Sequence, residues 1–142
     1  MKRNLYLVAE SDIDAAFIQE ILDLSKYEVC AVGVNGRNTV ASYVRMMRLM
    51  MGNTARMIVI FDADTISKEG IQQAVENMRQ ATQTEYVKDK VGIYAFFPDL
   101  ERYFEIPQLQ KNKDVYAQYA REHKDELITK DLINEVQKFL DK

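Results

Sequence analysis

Four short apolar runs recur along this chain, and the stretches between them constrain its fold more than any other feature. LYLVA (Leu5–Ala9), YEVCAVGV (Tyr27–Val34), RMIVIF (Arg56–Phe61) and VGIYAFF (Val91–Phe97) each have the length of a strand. Between them, apolar residues fall at helical spacing. In IDAAFIQEILDL these are Ile13, Phe17, Ile18, Ile21 and Leu22. In TVASYVRMMRLMM they are Val40, Tyr43, Val44, Met47 and Met51. A third helix is expected over SKEGIQQAVENMRQAT, with Gly70 a weak point near its start. Strand and helix alternating in this way predict a parallel, Rossmann-like α/β sheet of four strands with helices on both faces. The near-continuous apolar strands agree, because parallel strands are covered on both sides.

After Pro98 the pattern changes. DLERYFEI reads as a short helix ending near Pro107. DVYAQYAREHKDEL and TKDLINEVQKFLDK read as two closing helices, capped by Asn112 or Asp114 and by Thr129. A chain of 142 residues suits one domain. Its core is expected over about residues 4–105, with a helical extension over about 106–142. No repeat, low-complexity segment or linker interrupts it.

Composition narrows the class. Hydrophobic residues make up 47% and charged residues 29%, a globular balance. A net charge of −3 argues against a protein coated for nucleic acid or for an anionic membrane, although 19 lysines and arginines leave room for a local basic patch. No run approaches the roughly 18 apolar residues of a membrane span. The opening MKRNLYLVAE has no apolar stretch of signal-peptide length. Cys30, alone inside an apolar run, is expected to be buried as a small hydrophobe. It can form no internal disulfide, which suits a reducing compartment, and the expected location is the cytoplasm.

In open parallel sheets, sites form just beyond the carboxyl ends of the strands. The first strand runs into Glu10, Ser11, Asp12 and Asp14, and the second into Asn35, Gly36, Arg37 and Asn38. The third runs into Asp62, Asp64 and Thr65, and the fourth into Asp99, Glu101 and Glu105. Carboxylates gathered on one rim raise each other's pKa or require a cation. Hard divalent ions, Mg²⁺ or Mn²⁺, take such oxygen ligands. Extended geometry would point Asp62 and Asp64 of FDADT the same way, with Glu10 joining from a neighbouring strand. One cysteine and one histidine do not make a zinc set. Helix capping is the competing account for Asp12, Asp14, Asp64, Asp99 and Glu101. Asp62, directly after the apolar run, is harder to explain so.

The order of these acids resembles the TOPRIM fold, and more closely the TOPRIM part of OLD-family (overcoming lysogenization defect-like) nucleases. The first motif of that family reads roughly Glu-Gly-x-x-Asp, and this chain has ESDIDAAFI, Glu10 to Ile18, with Ser11 in place of the glycine. A Gly-Lys/Arg turn that opens a helix is matched by GRNTVASYVRMM, Gly36 to Met47. The Asp-x-Asp motif is matched by DAD, Asp62 to Asp64, and a later Leu-Glu pair by Leu100 and Glu101. The resemblance covers roughly residues 5–105. It implies Mg²⁺- or Mn²⁺-dependent phosphodiester hydrolysis on nucleic acid, DNA ahead of RNA. Glu10, Asp14, Asp62, Asp64 and Glu101 would hold metal. Glu10, Asp62, Asp64, Arg37 and Lys130 would carry the chemistry, Arg37 on a phosphate and Lys130 on the leaving oxygen. OLD nucleases also carry an ATPase domain. This chain has no Walker loop, so any ATPase would be a separate partner.

Two other classes compete. One is a non-catalytic, metal-binding regulatory or interaction module that partners an ATPase. The other is a receiver-like signalling domain, against which the paired acids after strand three count. A HAD-type phosphatase would place its Asp-x-Asp after strand one, and a PIN-type nuclease is a lesser rival. The sequence is silent on oligomeric state. His123, in the charged stretch REHKDE, is expected at the surface, and the methionines of MMRLMM are expected to fill core gaps.

Overall fold

The computed structural model describes residues 2–142. Its elements run β1 (Arg3–Ala9), α1 (Asp12–Ile21), β2 (Tyr27–Gly33), α2 (Arg37–Met47), β3 (Arg56–Asp62), α3 (Lys68–Thr82), β4 (Val91–Phe96), α4 (Leu100–Tyr103), α5 (Lys113–Glu122), α6 (Lys124–Leu127) and α7 (Asp131–Asp141). The four strands form one sheet in the order β2-β1-β3-β4, and every pairing is parallel. This is the Rossmann-like α/β architecture that the alternating pattern predicts.

Alternation along the strands divides the core into two layers. Leu5, Leu7 and Ala9 of β1 join Ile58 and Ile60 of β3 beneath α1 and the C-terminal helices. Val8, Met57, Val59 and Phe61 turn the other way, under α2 and α3. All of β3 except its last residue is buried, which is why its sequence shows no polar alternation. The helices after Pro98 are part of this core: Tyr116, Ala120, Ile133, Val136 and Leu140 belong to the α1 layer. Burying the larger aliphatic side chains among these contributes roughly 1.5–3 kcal/mol each. Arg56, at the foot of β3, ties the last helix down by donating to the backbone oxygens of Phe139 and Lys142.

Several local expectations are corrected. Cys30 is exposed. It lies on the edge strand β2, where Val32 and Val34 pack against the second core layer and Cys30 does not. Helix α2 stops at Met47, and of the methionines of MMRLMM only Met47 and Met51 pack on the core; Met46, Leu49 and Met50 are exposed. The stretch 114–127 is broken at His123, whose ψ of 17° ends α5 before α6 starts. His123 stacks on Tyr119, half-buried. Asn112 caps α5 by accepting from Asp114 and Val115 N–H groups. Thr129 does not cap α7: that position is Lys130, and the Thr129 hydroxyl donates back to the Glu126 carbonyl.

Candidate functional site

The strand order reverses between β1 and β3, and open parallel sheets form their sites where such strands end. Glu10 follows β1 and Asp62 closes β3. Glu10 Oε1 accepts from the Asp62 N–H at 2.6 Å and ties the end of β1 to the end of β3. Asp62 Oδ1 accepts from the Leu100 N–H at 3.0 Å, which fastens β3 to the start of α4. One oxygen of each carboxylate is thus spent on backbone, and one remains for a ligand.

Helix α1 brings the third acid. Ser11 caps it, its hydroxyl accepting from the Asp14 N–H. Asp12 does not cap; its carboxylate accepts from Gly33 N–H at 3.1 Å and pins the end of β2 beside the helix start. Asp14, in the first turn, is buried. Glu101 enters from α4, whose cap is Asp99, accepting from the Arg102 N–H.

These acids act on each other. Burial first, then the charges of Glu101 and Glu10, push the Asp14 carboxyl up to about 7. Burial first, then Asp14 and Glu10, push Asp62 up to about 8, although the Leu100 N–H works against the rise. The cation whose charge opposes the shift of Asp14 is Lys111. Its Nζ lies 3.7 Å from Glu101 Oε1.

The remaining expected residues fall elsewhere on the rim. Asp62 and Asp64 do not point together. Ala63 and Asp64 donate their N–H groups to the carbonyls of Phe96 and Pro98, and the chain turns there, with Asp64 left-handed at φ 60°. The strand geometry that would have aligned the two acids has ended by then. The Asp64 side chain, 76% exposed, pairs with Arg37 at 3.1 Å. Arg37 also donates to the Asp62 carbonyl and lies over the Phe61 ring. It is therefore anchored to the β3 tip rather than free in solvent. Lys130 pairs with Glu105 at 3.7 Å and stands over the Tyr103 ring. The lysine that the fold brings to the acids is Lys111, which the sequence reading passed over.

The donor chemistry suits a hard divalent cation in kind: carboxylate oxygens dominate, and burial together with neighbouring carboxylates drives Asp14 and Asp62 to keep their protons. The spacing is more restrictive. Among the described residues, no three His, Cys, Asp or Glu side chains stand together so that they could hold one ion. The expected five-residue cage is not assembled. A pair, Glu10 with Asp62, remains, and Mg²⁺ commonly uses only one or two carboxylates and keeps its waters.

No family model, curated protein or solved structure matches this chain. Among the described residues, no helix is long and apolar enough to cross a membrane.

Proposed function

We propose that the rim is a divalent-cation site serving phosphodiester hydrolysis on nucleic acid, as the resemblance of the acidic motifs to TOPRIM nucleases implies. The observation that carries the reading is the Glu10–Asp62 bridge at the reversal of strand order, with Asp14 and Glu101 around it. A cation bound there would polarise a phosphoryl oxygen and lower the pKa of a bound water. The chain's own groups have separable tasks. Glu10 and Asp62 offer one oxygen each to the ion. Asp14, buried and raised, holds or releases a proton near neutral pH. Arg37, fixed to the β3 tip by the Asp62 carbonyl and Asp64, presents a guanidinium that can pair with a phosphate.

The test is Mg²⁺- or Mn²⁺-dependent cleavage of plasmid DNA and of an RNA of matched length, by the parent chain and by Asp62→Asn. The substitution keeps an oxygen for the Leu100 N–H and removes the charge, so fold and function separate. Cleavage by the parent is expected to fall at least about 100-fold in the variant, in line with the loss of a group that binds a catalytic ion. Ion binding without cleavage would instead favour a subunit that acts through a partner such as a separate ATPase. Equal cleavage by a folded Asp62→Asn would remove the assignment.

A further inference from the structure

We propose that the open edge of β4 is a docking groove for an extended segment of a partner polypeptide, which adds to the sheet as a fifth strand. The groove is independent of the acids at the strand tips. β4 stands at one end of the strand order, so its far side has no neighbouring strand. Its backbone groups alternate between the two sides. Lys90 and Phe96 turn their carbonyls to β3, where they accept from the Met57 and Ala63 N–H groups. The even-numbered residues therefore serve the ladder, and the odd-numbered ones face outwards. The Val91 carbonyl, turned from β3, accepts from Arg79 of α3 at 3.1 Å. Further along, the N–H and C=O groups of Ile93 and Ala95 also face outwards. Among the described residues, no hydrogen bond meets them.

The fold leaves room where these groups point. Helices α3 and α7 flank the edge from opposite faces of the sheet, and a groove of about 640 Å³ lies between them. Ile71 and Val75 of α3 form one wall, and Leu132 of α7 belongs to the other. Ile66, just before α3, lines the groove and is 77% exposed. Unpaired main-chain donors and acceptors at strand spacing call for another strand's backbone, which a lipid or a compact hydrophobe does not supply. A second copy of this chain fits poorly. Ile93 and Ala95 are only 6% and 2% exposed, so the edge lies at the floor of the groove. Two such recessed edges would bring their flanking helices together before the backbones reached strand spacing, about 4.8 Å. A single extended chain has no such obstacle. The walls select its side chains. Both are apolar, and each carries one charge, Lys68 on α3 and Glu135 on α7. Neither is in an ion pair among the described residues. The segment that fits has apolar side chains on both faces, an acid towards α3 and a base towards α7. β4 also lacks the devices that protect an edge, since VGIYAF has no charge and no proline. The opposite edge strand, β2, carries the exposed Glu28.

The experiment uses the full chain and a fluorescein-labelled heptapeptide of alternating valine and threonine, with glutamate at one end and lysine at the other. Main-chain hydrogen bonds supply the affinity in strand addition, so a generic extended sequence suffices. Fluorescence anisotropy reads the affinity, and amide hydrogen exchange followed by NMR reads the place. The parent is expected to bind saturably, with exchange slowed at Ile93 and Ala95 and unchanged at Gly92 and Tyr94, whose amides already serve β3. Ala95→Pro removes one outward donor and spares the β3 ladder. It is expected to weaken binding at least about fivefold. Ile66→Gln is expected to weaken it about threefold. Leu49→Gln, at a similarly exposed position just beyond α2, is expected to match the parent. Thermal unfolding establishes that each variant is folded; if Ala95→Pro is not, Ile66→Gln and the exchange pattern still decide. The same peptide, N-methylated along its backbone, is expected not to bind. No saturable binding by the parent, equal binding of the N-methylated peptide, or protection confined to β2 overturns the proposal. Self-association of the chain that Ile66→Gln abolishes would put a second copy in the groove and overturn the choice of occupant.

Discussion

Asp14 concentrates the chemistry of the rim in one side chain. It is 8% exposed, faces Glu101 and Glu10, and has only Ser11 and the distant charge of Lys111 to favour its ionised form. Its carboxyl moves from 3.8 to about 7 on folding. An acid raised in this way binds its proton more tightly folded than unfolded. Below pH 3.8 both states are protonated and nothing is lost. As pH rises towards 7 the unfolded chain ionises first, and the folded state is progressively destabilised. Asp62, raised to about 8, adds the same sign over a window reaching one unit higher. Without divalent ions, stability contributed by these residues should therefore fall between about pH 4 and pH 8. Asp14→Asn should flatten that slope and stabilise the metal-free protein at pH 8 by on the order of 2–3 kcal/mol, with little effect at pH 4. Urea unfolding at the two pH values checks this; a variant no more stable than the parent at pH 8 would show that Asp14 is not held under strain. Adding Mn²⁺ at pH 8 should stabilise the parent more than Asp14→Asn.

At the scale of elements, the rim depends on how closely the β1–α1 connection passes the end of β2. Gly33 ends β2, and a Cβ there would come within 2.0 Å of the Asp12 nitrogen and 2.1 Å of the Ser11 carbonyl carbon. Both are backbone atoms, so nothing yields cheaply. Gly33→Ala should cost about 3 kcal/mol or more by urea unfolding and should displace the start of α1, and with it Asp14. A near-neutral effect would contradict the close approach. The strands themselves were legible in the sequence because both faces of β1 and β3 are covered, which forces unbroken apolar runs. Where one face opens, as at Cys30, the same run misleads, since composition does not reveal which strand lies at an edge. Asp64 departs from the alternation for a related reason: side chains alternate only while the strand lasts, and β3 ends at Asp62. Lys111 carries no local signal at all. In QLQKNKD it is one of two lysines beside a helix cap, and only the packing of α5 on α1 brings it to Glu101.

For the whole molecule, charge sets what the rim can do unaided. The chain carries −3, and on the proposed reading its acids gather where a phosphate backbone would approach. Phosphate contacts from lysine and arginine supply most non-specific affinity. Without divalent ions, duplex DNA should therefore bind more weakly than about 10 µM at 0.15 M salt, as read by fluorescence anisotropy. Mg²⁺ should strengthen binding, opposite to the screening expected of a simple basic patch. Tight, metal-independent binding would point to a surface away from the strand tips.

The most direct measurement is calorimetric titration of Mg²⁺ and Mn²⁺ at pH 8 into the parent chain and into Asp62→Asn. Saturable binding is expected for the parent, and its loss, or a weakening of at least about tenfold, for a variant whose unfolding remains cooperative. Binding that survives unchanged in Asp62→Asn, or its absence from the parent, would contradict the reading of the rim as a cation site. The carboxylates at the ends of β1 and β3 would then only tie the strand ends and α4 together.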